Sequence, residues 1–315
     1  MEYSSVTRFA PSPTGALHLG NARTFVVNWL LARQNNWHIL FRIEDLDGPR
    51  IKAGADRELI EDLRWLGLDW GGEPIYQTGR AELYGRAIDR LIQTKHAYAC
   101  ICSRREAATA ASAPHVEDRA PIYSGRCRGR FSSPEEARRQ TGQSPAIRFR
   151  VPNETITFVD QFMGEKSFDA ARELGDFVIA KADGTAAYQL AVVVDDAQMQ
   201  VTDVVRGDDL LDSTPRQLLL YRSLGLEARA PRYWHLPLVV GPDGRRLAKR
   251  HGDTRLSAYR NAGVKPERII QLLSRWCGIS EGVSSVHEML ERFRLAALPR
   301  ERIVFTDADE AFLRG

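Results

Sequence analysis

Residues 8–21 constrain the fold more than any other stretch: Arg8-Phe-Ala-Pro-Ser-Pro-Thr-Gly-Ala-Leu-His-Leu-Gly-Asn21. Val6 to Phe9 reads as the end of a short strand. Pro11, Pro13 and Gly15 forbid its continuation. From Leu19 a helix is expected, because apolar residues at 22, 25, 26, 29 and 30 have the spacing of one buried face. A strand, a tight loop and a helix aim backbone N–H groups and the positive helix end at one point, where a phosphate can sit. His18 and Asn21 lie one turn apart at that end, and both side chains can donate to phosphate oxygens. The alternative is an ordinary turn in which His18 only caps the helix.

The pattern repeats. Trp37 to Ile43 reads as a second strand that runs into Glu44-Asp45-Leu46-Asp47. Acidic residues at a strand end sit where ligands bind in α/β sheets. Glu44 can hold an ammonium group or a ribose, or pair internally with Arg42 or Arg50. Residues 52–67 and 79–95 are expected to be helical, with Gly71-Gly72 and Pro74 breaking the chain between them. Strand and helix alternating through short links argue an α/β fold with a parallel sheet.

With 315 residues the chain has room for two or three domains and a sizeable core. Its longest apolar runs are too short to span a bilayer, and the polar N-terminus lacks a secretory pattern, so a cytoplasmic protein is expected. The net charge of +3 excludes a generic polyanion binder. Arginine clusters at 126, 128 and 130, and Arg245, Arg246, Lys249 and Arg250, suit a nucleic-acid backbone or a solvated surface.

Residues 96–130 interrupt the alternation. Cys100 and Cys102 are followed by a polar, Ala-rich stretch and then Tyr123-Ser-Gly-Arg-Cys127. Three nearby thiols can staple a loop-rich insert through zinc, or can simply be buried. His115 is the usual choice of fourth ligand and Tyr123 the unusual one. Cys277 reads as core.

The second half is expected to contain strands at Ala146 to Val151, Ile156 to Asp160 and Asp176 to Lys181, with a turn at Asp183-Gly184. Tyr188 to Val194 reads as a strand buried on both faces. Val201 to Val205 leads into Arg206-Gly-Asp-Asp209, where Arg206 can grip a ligand carboxylate or pair with Asp208 or Asp209. A helix is expected from Ser213 and a strand over Leu236 to Val240. After a turn at 241–244 and a basic loop at 245–250, short helices are expected at Leu256 to Asn261, Pro266 to Trp276 and Val286 to Phe293.

Five segments together carry a resemblance. His18-Leu-Gly-Asn21 resembles the first signature of class I aminoacyl-tRNA synthetases, and Arg246-Leu-Ala-Lys-Arg250 resembles the second. Arg8-Phe-Ala-Pro-Ser-Pro-Thr-Gly, Arg42-Ile-Glu-Asp and Val205-Arg-Gly-Asp-Asp resemble the glutamyl branch. Only residues 251–315 follow the second signature, too few for the large anticodon-binding region of a full glutamyl-tRNA synthetase. A short chain with a Cys-x-Cys and Tyr-x-x-x-Cys insert is similar to the glutamyl-Q tRNA(Asp) synthetase family. The fold this implies is a Rossmann-type parallel-sheet catalytic domain with a zinc-bearing insert and a small helical C-terminal domain. Residues 1–95 and 146–240 would be its two catalytic halves, 96–145 the insert, and 241–315 the second-signature loop with a helical stem-contact region.

The resemblance implies activation of L-glutamate by ATP, followed by transfer of glutamate to queuosine in the anticodon of tRNA(Asp). Such a site supplies position and charge rather than a nucleophile. His18, Gly20, Asn21 and Lys249 would hold ATP, with His18, Asn21 and Lys249 stabilising the reacting phosphoryl group and Mg2+ travelling with the nucleotide. Arg8 and Arg206 would take carboxylates, Ser12 and Tyr188 would add neutral hydrogen bonds, and Glu44 would take the ammonium. Cys100, Cys102, Tyr123 and Cys127 fall on the family's four zinc positions, for one structural ion, with His115 the fallback. A monomer is expected. Arg246 and Ala248 depart from the Lys and Ser of the second signature, while Lys249 is retained. The competing readings are a truncated glutamyl-tRNA synthetase charging the 3′ end, a non-catalytic zinc-containing RNA-binding paralogue, and a nucleotidyltransferase.

Overall fold

The structure is a computed structural model that describes residues 4–103, 106, 122–245, 247, 253–279 and 282–315. The chain forms two compact units. One comprises Met1–Gln77, Val201–Leu211 and Arg232–Gly315; the other comprises Thr78–Gln200 and Asp212–Pro231. Among the described residues no helix is long and apolar enough to cross a membrane.

The first unit opens with β1 (Ser5–Phe9), α1 (Leu19–Gln34) and β2 (Trp37–Ile43). β1 and β2 pair in parallel, with Arg8 opposite Leu40. α2 (Ala55–Trp65) then leads to β3 (Ile75–Tyr76), which extends the parallel sheet from β2. The turn-helix-strand pattern read from Arg8 to Ile43 is the observed one. α1 buries Ala22, Val26, Val27, Trp29, Leu30 and Leu31, each large side chain contributing about 1.5–3 kcal/mol on leaving water. A polar tie fixes its register on the sheet: buried Asn28 accepts from the Thr7 hydroxyl at 3.0 Å and donates to the Arg8 carbonyl at 3.1 Å.

In the second unit, α3 (Ala81–Gln93) leads into β4 (Ala97–Cys100). A short helix, α4 (Pro134–Thr141), is capped by Ser133. β5 (Ala146–Phe149) pairs antiparallel with β4 and with a later strand, β8 (Phe177–Ala180). Between them β6 (Thr155–Asp160) and β7 (Gly164–Asp169) form an antiparallel hairpin. The chain then forms α5 (Tyr188–Gln198) and, after leaving and re-entering the unit, α6 (Ser213–Ser223).

α5 corrects the strand expected over Tyr188 to Val194. Every residue from Leu190 to Ala197 is buried, so the helix has no polar stripe to betray its period. An unbroken apolar run reads the same whether it belongs to a buried helix or a buried strand, and three consecutive valines tilt the reading toward a strand. The helix runs on past the expected segment through Asp195 and Asp196. Asp195 is fully buried within the helix, accepting from Arg80 Nε at 2.6 Å and from the Tyr84 hydroxyl at 2.9 and 3.0 Å.

The first unit resumes with β9 (Asp203–Gly207), parallel to β10 (Arg232–Leu236). β11 (Val239–Val240) is separated from β10 at Pro237, where a single strand was expected. Proline has no N–H for a sheet ladder, which accounts for the break. α7 (Leu256–Asn261), α8 (Pro266–Trp276) and α9 (Val286–Arg292) follow, α7 and α8 with the bounds expected from sequence. Gly278 ends α8 at φ +75, and a Cβ there would lie 2.2 Å from the Ala297 carbonyl oxygen, so only glycine fits. The C-terminal chain also returns a strand, β12 (Ile303–Val304), parallel to β11, before α10 (Asp307–Arg314) and its Thr306–Asp309 capping box. The expected α/β architecture with a parallel sheet and a helical C-terminus is the observed one.

Candidate active site and metal centre

Three strand ends of the first unit carry the charged residues singled out from sequence. Val6 and Thr202 are tied by backbone and hydroxyl bonds, and Arg8 Nη1 donates to the Val205 carbonyl at 3.5 Å. These contacts follow the same order along both segments, so β9 runs beside β1 in the same direction. Arg8 near the end of β1 and Glu44 just past β2 share the carboxyl edge of the β1–β2–β3 sheet, where ligands bind in folds of this kind, and Arg206 stands near the end of β9 beside it.

Both arginines are buried, each 5% exposed. Arg206 donates from Nε to His235 Nε2 at 2.9 Å, and its guanidinium lies 5.1 Å from the centre of the Tyr233 ring. His235 accepts at Nε2, which makes it the neutral tautomer protonated at Nδ1. Asp208, one of the partners considered for Arg206, is engaged by Arg302 at 3.1 Å. Glu44 is held by Arg42, whose Nη2 donates to Oε1 at 3.0 Å, and its backbone N–H donates to the Pro11 carbonyl at 3.0 Å. The internal pairing considered for Glu44 thus exists, and it leaves the carboxylate 12% exposed rather than sealed.

His18 caps α1. Its Nδ1 accepts from the Gly20 and Asn21 backbone N–H groups at 3.2 and 3.4 Å. A neutral ring accepting at Nδ1 carries its proton on Nε2, so capping also fixes the tautomer as a donor. Gly20 is required by closeness: a Cβ would meet the His18 ring at 3.1 Å and Val239 Cβ at 3.4 Å. Asn21 is half-buried in the first turn. Ser12 is exposed and bonds to the Thr14 hydroxyl at 3.4 Å.

The chain just after the second signature is strapped to this helix start. Leu19 N–H donates to the Thr254 carbonyl at 3.0 Å, and Leu256 N–H donates to the Leu17 carbonyl at 2.8 Å. A β-bridge joins His18 and Arg255. A cleft of about 740 Å³ opens beside this seam, lined among others by Thr14, His18, Lys52, Arg57 and Arg255. Arg246, Ala248, Lys249 and Arg250 of the second signature, and His115 of the insert, lie outside the described residues. Tyr188 belongs to the second unit, at the first position of α5, with its side chain exposed.

Sequence reasoning missed three arginines. Arg23 is fully buried one turn into α1, Arg148 lies against the cysteine cluster, and Arg255 pairs with Asp253 beside His18. Arg23 had a signal: a charge within a helix whose neighbours at 22, 26 and 27 are all apolar.

In the second unit the Cys100, Cys102 and Cys127 sulfurs lie within 4.8 Å of one another. The Tyr123 hydroxyl is 3.4 Å from the sulfurs of Cys100 and Cys102, and it accepts from the Cys127 backbone N–H at 3.0 Å. A tetrahedral zinc ion with bonds of about 2.3 Å holds its sulfurs about 3.8 Å apart, a spacing that three sulfurs gathered this closely can meet. Three thiols and a phenol also form a donor set that favours zinc over oxygen-seeking cations. Burial pushes the Cys102 thiol up to about 11. Burial acts in the same direction on Cys127, but hydrogen bonds from Tyr123, the Ile101 backbone and its neighbouring thiols outweigh it and hold Cys127 below its ordinary value. Arg148 completes the surroundings, donating from Nε to Cys100 Sγ at 3.3 Å with its guanidinium 4.0 Å from the centre of the Tyr123 ring. A bound zinc would supply thiolate cross-linking of the 100–127 segment.

Comparison with known proteins accords with this geometry. The family model for the catalytic domain of class I tRNA synthetases (E and Q) matches residues 5–303. A glutamyl-Q tRNA(Asp) synthetase of Symbiobacterium thermophilum is 47% identical over 98% of both chains. One of Rhodopirellula baltica is 44% identical, again over 98% of both. A glutamate–tRNA ligase of Nitratidesulfovibrio vulgaris (strain DP4) is 42% identical over 91% of this chain but only 61% of its own length. Among solved structures, a glutamate tRNA ligase from Elizabethkingia meningosepticum in complex with its amino acid superposes with a TM-score of 0.81 at 29% identity, covering 98% of this chain and 68% of the other. The chain therefore belongs to the class I tRNA synthetases of the glutamyl and glutaminyl type, as a ligase in the short form shared by the glutamyl-Q tRNA(Asp) synthetases.

Proposed function

We propose that this chain activates L-glutamate with ATP and transfers the glutamyl group to queuosine in the anticodon of tRNA(Asp). The observation that carries the reading is likeness at 44–47% identity over 98% of this chain and of two glutamyl-Q tRNA(Asp) synthetases. The longer glutamate–tRNA ligases support the amino acid but not queuosine as the acceptor.

In the first step a carboxylate oxygen of glutamate attacks the α-phosphorus of ATP, and the bond to the β-phosphate breaks, releasing pyrophosphate. Charge builds on the phosphoryl oxygens. The α1 N-terminus, with the Nε2 proton of His18 and the Asn21 amide, faces it from one side. Lys249 acts from the other. Mg2+ enters with ATP. Arg8 and Arg206 receive the carboxylates of glutamate, and Ser12 and Tyr188 add neutral hydrogen bonds. Glu44, oriented by Arg42, receives the ammonium. Rejection of glutamine follows because an amide gives up the charge pairing that a carboxylate makes with a guanidinium. In the second step the acceptor on the modified base attacks the activated carbonyl and AMP leaves. Cys100, Cys102, Tyr123 and Cys127 hold one structural zinc.

The test uses an anticodon stem-loop bearing queuosine and having no acceptor stem. Incorporation of labelled glutamate is expected, whereas labelling only of tRNA with an intact 3′ end would establish the competing reading, aminoacylation of that end. That second reading has one observation in its favour, the 42% identity to a glutamate–tRNA ligase. ATP–pyrophosphate exchange driven by glutamate, but not by glutamine or aspartate, tests the first step alone. Absence of exchange with any amino acid would favour a non-catalytic RNA-binding role.

A further inference from the structure

Arg23 is the one charged residue on the buried side of α1, at 1% exposure. Burial holds its pKa below the ordinary arginine value, yet an arginine remains charged there. A cation in that position needs acceptors, and the fold supplies them from two separate stretches. Nη1 donates to the Pro237 carbonyl at 2.7 Å, and Nε donates to the Trp276 carbonyl at 3.2 Å. Nη2 is buried without a hydrogen-bond partner, and the Cys277 thiol and the Asp208 carboxylate both act on the guanidinium.

Both acceptors are groups that regular structure leaves over. Trp276 is the last residue of α8, whose terminal carbonyls have no partner within the helix and favour a cation. Pro237 sits at the break between β10 and β11. Arg23 therefore ties α1, three residues after Gly20, to the linker that enters β11. Two residues past Pro237, Val239 Cβ lies 3.4 Å from the point a Gly20 Cβ would occupy. From β11 the chain passes through the 241–245 turn, closed by Gly241 N–H to the Arg245 carbonyl at 2.8 Å, directly into the second signature.

We propose that Arg23 is a positioning residue for the nucleotide: it sets the spacing between β11 and the start of α1, and so the placing of His18, Gly20 and Asn21 on ATP. The inference rests on the ATP-dependent activation proposed above. It goes beyond that reading in giving a role to a side chain that touches neither substrate. Glutamate is assigned to Arg8, Ser12, Glu44, Tyr188 and Arg206, none of which Arg23 bonds, so the effect is expected chiefly on ATP.

The experiment compares wild type with Arg23→Lys and Arg23→Met. ATP binding by calorimetry is expected to weaken about tenfold in Arg23→Lys, which keeps the charge and one carbonyl bond, and further in Arg23→Met. In pyrophosphate exchange the KM for ATP rises accordingly, while the KM for glutamate stays within about twofold. Added ethylguanidinium partly restores ATP binding to Arg23→Ala. A merely structural role would lower kcat with the folded fraction and leave both KM values unchanged; that outcome, or an equal rise in both, overturns the proposal. Should Arg23→Met fail to fold, Arg23→Lys carries the same comparison. A wild type that binds ATP but exchanges with no amino acid would overturn the activation reading, while the calorimetric comparison would still decide the role of Arg23.

Discussion

Arg42 holds Glu44 at the end of β2, Nη2 to Oε1 at 3.0 Å, with the guanidinium completely buried and the carboxylate only partly so. The pair is asymmetric by design of its surroundings: the arginine is fixed by the core and the carboxylate is turned toward the sheet edge. Removing the arginine breaks a mostly buried ion pair, at a cost on the order of 3 kcal/mol. Arg42→Met is expected to lower the urea midpoint markedly and to raise the KM for glutamate at least tenfold, with the KM for ATP little changed. Exchange kinetics with each substrate varied in turn would measure this, and an unchanged glutamate KM would remove Glu44 from the ammonium site.

The same reasoning applies to Arg206. His235 and Tyr233 hold its guanidinium in place before any ligand arrives, so little ordering cost remains at binding. Arg206→Ala is expected to reduce glutamate-dependent exchange at least a hundredfold while circular dichroism stays native. Arg206→Lys should recover little, since an ammonium cannot form the paired bonds of a guanidinium fork. Retained discrimination against glutamine in either variant would refute the assignment.

The site was more legible than parts of the scaffold. Arg8, His18, Glu44 and Arg206 stand at strand ends and one helix start, positions that proline, glycine and apolar spacing mark locally. α5 was not legible, because burial on every side erases the period that distinguishes a helix from a strand, and because Asp195 is neutralised by Arg80 and Tyr84 from a distant stretch. Pairing of β12 with β11 was equally hidden: two residues, Ile303 and Val304, carry no pattern of their own. Arg23 shows the same limit from the other side. Its charge is conspicuous in sequence, but its partners are carbonyl oxygens, which no side-chain pattern reveals.

For the cysteine cluster, metal analysis of the purified protein is expected to find about one zinc per chain. The Cys100→Ser/Cys102→Ser double variant should lose it and unfold at lower temperature. Tyr123→Phe separates the possible fourth ligands. If the phenolic oxygen binds the ion, zinc is retained but released faster to a chelator; if His115 supplies the fourth bond, the chelation rate matches wild type. Wild-type protein without zinc, purified under reducing and chelator-free conditions, would leave three buried thiols as the correct description.

Asp62 gives a stability prediction with a definite sign. It lies in α2 with both carboxylate oxygens buried and without hydrogen-bond partners, facing Arg260 Nη2 at 3.3 Å. Burial pushes its pKa up to about 7, opposed by Arg260 and aided by Glu58 and Glu61. In the unfolded chain the value is about 3.9. Between those limits the folded state binds the proton more tightly, so the contribution of Asp62 to stability falls as pH rises from about 4 to about 7 and is level above that. The full span is on the order of 4 kcal/mol at about 1.36 kcal/mol per unit. Asp62→Asn keeps the shape and removes the charge, while Arg260 retains Glu61 at 3.1 Å. The variant is therefore expected to match wild type below about pH 4, where Asp62 is protonated both folded and unfolded, and to be increasingly more stable as the pH rises to about 8. Urea midpoints at the two pH values measure it, and parallel pH dependence in the two proteins would show that Asp62 is ionised throughout.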